Sequence, residues 1–395
     1  MPLDLRAMSE EGKELTLAGT VLYGEDFEVI EGYVVVDVRR GVIKEVSRGE
    51  EVDAAVHGVL LPAFVNAHTH VGDAVAKEPP DLPLEALVGP GGLKERILRE
   101  TPPEKLIEAM QDAIFEMLAA GTLSFADFRE GGIEGVRLLK KALTAAERIA
   151  VGERGRTGKT KKLDDMAYIL GRPTSAAVED AVREAAAILE EADGIGMSSV
   201  ADHPLGLLEE LAATARKRRR LFALHAGERD ERDVATAIEL RPDFLVHLTH
   251  ASPSHFKKMQ DVGVGAVVCV RSNLRTGVGL PPLKKMLEIG LTIGVGTDNV
   301  MLNAPNMFSE LEFISKIYRL DARTVLRMGT LYGARVLKKG GGTLAEGQPA
   351  RILVLKKDSP NLKHVRDVLK AIVNRASVKD VAAVVAGGFC MRGGG

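Results

Sequence analysis

The segment FVNAHTHVGD, Phe64 to Asp73, carries His68 and His70 one residue apart at the end of an apolar run. In a β-strand, residues i and i+2 point to the same side. Two imidazoles on one face are either two donors for one metal ion or a surface accident. The remainder of the chain offers two more donors, His225 in LHAGE and Asp298 in GVGTDN, and two further histidines, His247 and His250 in LVHLTH, of which His250 reads as a supporting residue. Imidazole and carboxylate together suit zinc first and iron second. Three or four such donors with an open position make a catalytic site, where a metal renders water nucleophilic. Glu228, three residues beyond His225, is placed as a proton shuttle. His247 is placed to orient a substrate or stabilise negative charge.

These residues need elements to present them. Apolar runs at 60–68, 122–128, 148–154, 194–200, 221–227, 243–249, 266–272 and 291–298 alternate with helical stretches such as PPEKLIEAMQDAIFEMLAAG. Strands covered on both faces read as continuous apolar runs, and eight strand–helix units predict an α/β fold, a (β/α)8 TIM barrel rather than a doubly wound sheet. The active site of such a barrel lies at the C-terminal ends of its strands. Of nine histidines, five (His68, His70, His225, His247 and His250) fall at or just past such an end. The eighth run ends on Asp298. That concentration argues against an accident. Strand-like texture also marks both ends of the chain, in VIEGYVVVDVRRG and again in ARILVLKKDSP and DVAAVVAGGFCM. It predicts a small β-sandwich domain built from both termini, 1–59 and 344–395, around a barrel at 60–343.

Composition removes other classes. The net charge of −2, the absence of tryptophan and an aromatic content of 4% give no footprint for nucleic acid. Cys269 and Cys390 cannot build a disulfide framework, and Cys269 reads as a core residue. The start of the chain has no apolar leader segment and no run approaches a membrane span. The expectation is a cytoplasmic enzyme acting on a small molecule, with homo-oligomerisation left open.

The motifs LPAFVNAHTH, LHAGE, LVHLTH, SNLRTGVGLPPLKKMLEIGLTIGVGTDN and NMFSELEF together resemble the amidohydrolase superfamily. Within it they are similar to the cytosine-deaminase and chlorohydrolase-like branch, which includes adenosine-type and guanine-type deaminases. The resemblance implies one divalent metal, zinc ahead of iron, held by His68, His70, His225 and Asp298. It implies that Glu228 relays protons to a ring nitrogen and that His247 and Asp298 help activate water. The activity implied is hydrolytic deamination of a purine-, pyrimidine- or pterin-type heterocycle. The alternatives are hydrolysis of a cyclic amide or a C–Cl bond and, remotely, a non-catalytic scaffold, against which the complete donor set argues. Binuclear members carry a lysine at the end of the fourth strand; GIGMSSVADH has none, which argues for one metal. Ala63 and Val270 depart from the usual glycine and proline.

The segment VGDAVAKEPP after the histidine pair also departs from the family pattern, so the substrate does not transfer from a named member. Asp73 is taken as a substrate contact, with His203 and Asn299. The segment GERGRTGKTKK, 152–162, lacks P-loop spacing. Placed after a third strand at 148–154, it would hang over the barrel mouth. There Arg154 and Arg156, with Lys159, Lys161 and Lys162, would bind a phosphate or carboxylate of an anionic substrate.

Overall fold

Alternating apolar residues at the two ends of the chain become one sheet, and the apolar runs between them become a second. The computed structural model describes residues 14–49, 52–151, 165–387 and 389–392. In chain order the strands are β1 (Glu14–Tyr23), β2 (Glu28–Asp37), β3 (Val42–Arg48), β4 (Val56–Pro62), β5 (Phe64–His70), β6 (Thr122–Arg129), β7 (Ala167–Gly171) and β8 (Gly194–Met197). They continue as β9 (Leu221–Ala226), β10 (Phe244–His247), β11 (Gly265–Val268), β12 (Ile293–Val295), β13 (Asp298–Asn299), β14 (Arg351–Leu355), β15 (Val381–Ala386) and β16 (Phe389–Arg392).

The terminal sheet has the order β16-β15-β14-β4-β1-β2-β3, so N- and C-terminal strands meet where β14 pairs with β4. Its period of two divides the side chains between two cores. Ile352 and Val354 join Leu17, Val34 and Leu60 in one cluster, while Leu353 and Leu355 face the helices of the central unit.

The second sheet is parallel and curls, in the order β12-β11-β10-β9-β8-β7-β6-β5-β13. β12 and β13 are separated by Gly296 and Thr297. β12 pairs with β11, and β13 pairs with β5 through Asp298↔Thr69 and Asn299↔His70. One interrupted strand thus meets both edges, an α/β arrangement consistent with a (β/α)8 barrel. Inward side chains such as Ala67, Phe128, Tyr168, Ala223 and Val246 fill the interior, and helices cover the outside.

The third strand of this sheet is not at 148–154. Gly132–Val151 is a single helix, and the strand is Ala167–Gly171. The short run RIAV fits either period, but the residues before it already bury a helical stripe of Val136, Leu139, Leu143 and Ala146, and the longer pattern prevails. Residues 152–162 therefore precede the third strand, and the reason for placing them over the mouth is gone. Arg154, Arg156, Lys159, Lys161 and Lys162 lie outside the described residues. Among the described residues, no helix is long and apolar enough to cross a membrane.

Candidate metal centre

Strand alternation places the first two donors. His68 and His70 leave the end of β5 on the inner side, His225 comes from β9, and Asp298 opens β13. One ligand atom from each lies within 4.8 Å of all the others. His68 Nε2 is 3.1 Å from Asp298 Oδ1 and 3.2 Å from His225 Nε2. His70 Nε2 is 3.6 Å from Asp298 Oδ1. Gly296 permits this convergence, since a Cβ there would stand 2.6 Å from the His68 Cβ. Asp298 and His247 both hold left-handed backbone, at φ 60° and 74°, a strain that functional sites commonly carry.

The donor chemistry fits a cation. His70 Nδ1 donates to Phe128 O at 3.1 Å and Glu130 Oε1 at 2.8 Å, and His225 Nδ1 donates to Met197 O at 2.9 Å. With their protons on Nδ1, both rings turn bare Nε2 lone pairs toward one point. The His68 Nδ1 is buried without a partner. Burial lowers the pKa of His68 and His225, and brings that of His70 to about 3. The imidazoles stay neutral, the state in which they ligate metals. Burial alone would raise the Asp298 carboxyl, but the His68 hydrogen bond and the surrounding imidazoles hold it well below the usual carboxylate range. The bare Nε2 atoms of His70 and His225 and the Asp298 carboxylate crowd one buried point, an arrangement that a cation among them relieves. The His68, His70, His225 and Asp298 cluster therefore fits a metal site.

Other groups orient this set. Ser272 Oγ donates to Asp298 Oδ2 at 2.5 Å. Next to it, Asn273 donates through Nδ2 to Thr249 Oγ1 and accepts from His247 Nδ1 at 2.9 Å. The His247 Nε2 is thereby aimed at Glu228 Oε2, 3.6 Å away. Burial raises the Glu228 carboxyl, against the pull of His247. Both residues line a cavity of about 950 Å³ that also takes in His70, His225 and Asp298. Leu84, Val88, Leu98 and Leu207 supply part of its apolar wall.

The substrate contacts expected from sequence fall in different places. His203 lines the cavity, with Nε2 2.8 Å from Ser198 Oγ. Asn299 lines it too, but its Oδ1 accepts from Lys94 Nζ at 2.9 Å. Asp73 is 1% exposed and is not among the lining residues. Its Oδ1 accepts from Met301 N, and its Oδ2 lies 3.5 Å from Lys94 Nζ. His250 is exposed and bonds to Val278 O. Sequence reasoning missed Lys94, Glu130, Arg172, Ser272 and Asn273. Glu130 had a signal, a carboxylate just past a strand's end like Glu228. Lys94 had none, because a lysine in a helix is ordinary.

Glu310 carries a testable consequence. It is fully buried, its Oε1 accepts from Arg271 N at 3.0 Å, and it secures the turn that presents Ser272 and Asn273. Burial pushes its carboxyl from 4.5 up to about 7, against the opposing Arg271. The folded state therefore holds the proton more tightly than the unfolded chain. Stability falls as pH rises between these values and levels off above the upper one. Glu310→Gln removes that dependence. In urea denaturation the variant should match the wild type near pH 4 and exceed it near pH 8 by up to about 3 kcal/mol. A difference independent of pH would refute this account.

Comparison with known proteins agrees with this geometry. The sequence matches the amidohydrolase family over residues 59–390. It is 30% identical over 390 residues to an uncharacterized protein of Methanocaldococcus jannaschii, covering 93% of this chain and 96% of that one. It is 26% identical over 406 residues to the 5-methylthioadenosine/S-adenosylhomocysteine deaminase of Thermococcus kodakarensis, covering 94% and 92%. The fold is similar to that of an adenosine deaminase from Xanthomonas campestris with bound zinc, with a TM-score of 0.74 at 20% identity, covering 95% of this chain and 92% of that one. With the match running from the middle of β4 into β16, this chain belongs to the amidohydrolase family, whose members are hydrolases.

Proposed function

We propose that the protein is a metal-dependent deaminase of an amino-substituted heterocycle of purine, pyrimidine or pterin type. One observation carries the reading: the Glu228 carboxyl and His247 line one cavity with His70, His225 and Asp298 of the four-donor cluster. The deaminase relatives support it. The four donors would hold one divalent ion, zinc ahead of iron, and the absence of lysine from β8 supports a single ion. The ion, when bound, supplies Lewis acidity that makes water nucleophilic near neutral pH. The chain's own residues supply the remainder. Asp298 Oδ2, held by Ser272, and His247 Nε2 take and place the proton of the attacking water. As the C–O bond forms, Glu228 Oε2 gives a proton to the ring nitrogen. It then takes the second proton of the water and passes it to the amine, so that the C–N bond breaks, ammonia leaves, and the first proton of the water passes to Glu228. In this reading the curled sheet is the (β/α)8 barrel of residues 60–343. The terminal sheet, with its own apolar cluster, is a β-sandwich unit of residues 1–59 and 344–395.

The cavity, near the upper end of the ~300–1,000 Å³ of small-molecule sites, has room for more than a bare ring. An anionic substituent, first assigned to the 152–162 segment, has a better-supported partner in Arg172. That residue follows β7, half-buried on the cavity wall. Its guanidinium makes a single hydrogen bond among the described residues, from Nε to Gly196 O at 3.4 Å, and no ion pair. The test is ammonia release across purine bases, nucleosides, pyrimidines and pterins, with and without a carboxylate or phosphate arm. Arg172→Ala should raise KM for the anionic members by roughly 10–100-fold, the worth of a charged hydrogen bond, with kcat little changed. No ammonia from any member would sink the deaminase reading. A KM unmoved by the substitution would sink the role of Arg172.

A further inference from the structure

The segment between β5 and the helix Pro103–Ala119 holds two short helices, Leu84–Val88 and Leu93–Glu100. Leu84, Glu85, Val88, Lys94 and Leu98 from this segment form one wall of the cavity. The turn Gly89–Gly92 joins the two helices. Gly91 there has φ +73°, and a Cβ on Gly89 would stand 2.6 Å from Glu85 O, so the turn requires glycine.

Most of what holds this wall in place is slight. Two ion pairs, Arg275–Asp81 and Arg229–Glu85, are largely exposed at their carboxylate ends and contribute little. Leu87 packs with Met301 and Leu302 in a cluster separate from the main core. The exception is Lys94. Its side chain is buried, and Nζ lies 2.7 Å from Glu130 Oε1, 2.9 Å from Asn299 Oδ1 and 3.5 Å from Asp73 Oδ2. Its three acceptors follow β5, follow β6 and sit in β13.

Two of these acceptors adjoin the donor cluster. Glu130 Oε1 accepts from both Lys94 and His70 Nδ1, while its Oε2 accepts from Arg129 at 2.6 Å. Asn299 is the chain neighbour of Asp298. A carboxylate behind a ligating histidine fixes the ring and the nitrogen that faces the metal. Here that carboxylate is itself fixed by a lysine carried on the cavity wall.

We propose that Lys94 is a positioning residue that couples the 77–100 wall to the metal centre, so that seating of the wall and orientation of His70 are set together. The proposal rests on the reading of the four donors as a metal site. Because coupling is reciprocal, metal binding steadies the wall, and loss of the lysine weakens metal binding.

The experiment uses the full chain with zinc as the probe, read by chelator competition and by hydrogen exchange of residues 77–100. In the wild type, zinc should slow exchange across this segment. Lys94→Met should bind zinc about 10–100-fold more weakly, the usual effect of losing an outer-shell partner, and zinc should no longer slow exchange there. Asp81→Asn with Glu85→Gln, which cuts the two surface ties, should leave zinc affinity unchanged. Wild-type affinity in Lys94→Met overturns the proposal. So does exchange across 77–100 that zinc leaves unchanged in the wild type, a measurement that stands even if the variant fails to fold. A wild type without zinc affinity overturns the metal reading itself, and the proposal with it.

Discussion

Replacing His225 with alanine is expected to strip the metal and, with it, the activity. The imidazole is one of four donors, and its Nδ1 is committed to Met197 O, so only Nε2 can face the centre. Removing a donor should cost more than the roughly 10–100-fold lost with an outer partner. Metal content after dialysis should therefore fall from about one equivalent per chain to a small fraction. Ammonia release should fall to background, while the far-ultraviolet circular dichroism stays that of the wild type. Elemental analysis decides the matter. Stoichiometric metal in His225→Ala would mean that the cluster is not the binding site. Two tightly held metals in the wild type would overturn the single-ion reading drawn from β8.

The complementary expectation is a variant that keeps its metal and loses its chemistry. Glu228 lies outside the donor cluster, and its carboxyl, raised by burial, faces His247 Nε2 at 3.6 Å. Glu228→Gln preserves size and hydrogen-bonding shape but cannot carry a proton. Turnover should drop by about 10²–10⁴-fold, the usual worth of a positioned acid–base group, with metal content unchanged. KM should move little, since the group acts on the barrier rather than on binding. Normal turnover in this variant would remove the proton-shuttle role. Lost metal would instead make Glu228 part of the binding site.

The donors themselves were legible in the sequence because each depends on a local rule. His68 and His70 share a face by strand alternation. His225 and Asp298 end apolar runs, and Glu228 follows at a fixed short distance. Periodicity of two also separated the terminal strands from the helix-rich middle, because every residue of a strand or helix repeats its neighbours' pattern. Where a run was too short to distinguish periods, tertiary packing decided. RIAV at 148–151 belongs to a helix because Val136, Leu139, Leu143 and Ala146 before it already bury one helical stripe. That displacement moved the third strand to Ala167–Gly171 and removed the basis for a basic loop at the mouth.

The residues that orient the donors were equally out of reach. Asp73 looked like a substrate contact beside the histidine pair, yet its oxygens turn to Met301 N and Lys94. Lys94 comes from a helix 24 positions beyond His70 in the chain, and Asn299 from another 205 positions further on. No spacing rule connects them. A buried ammonium is tolerated only where several acceptors surround it, and acceptors from three separate strand ends become neighbours only when the curled sheet has formed. Which atoms could hold a metal follows from residue type and local repeat alone. What steadies those atoms depends on desolvation and on charges brought together from distant parts of the chain, and it arises only once the chain has folded.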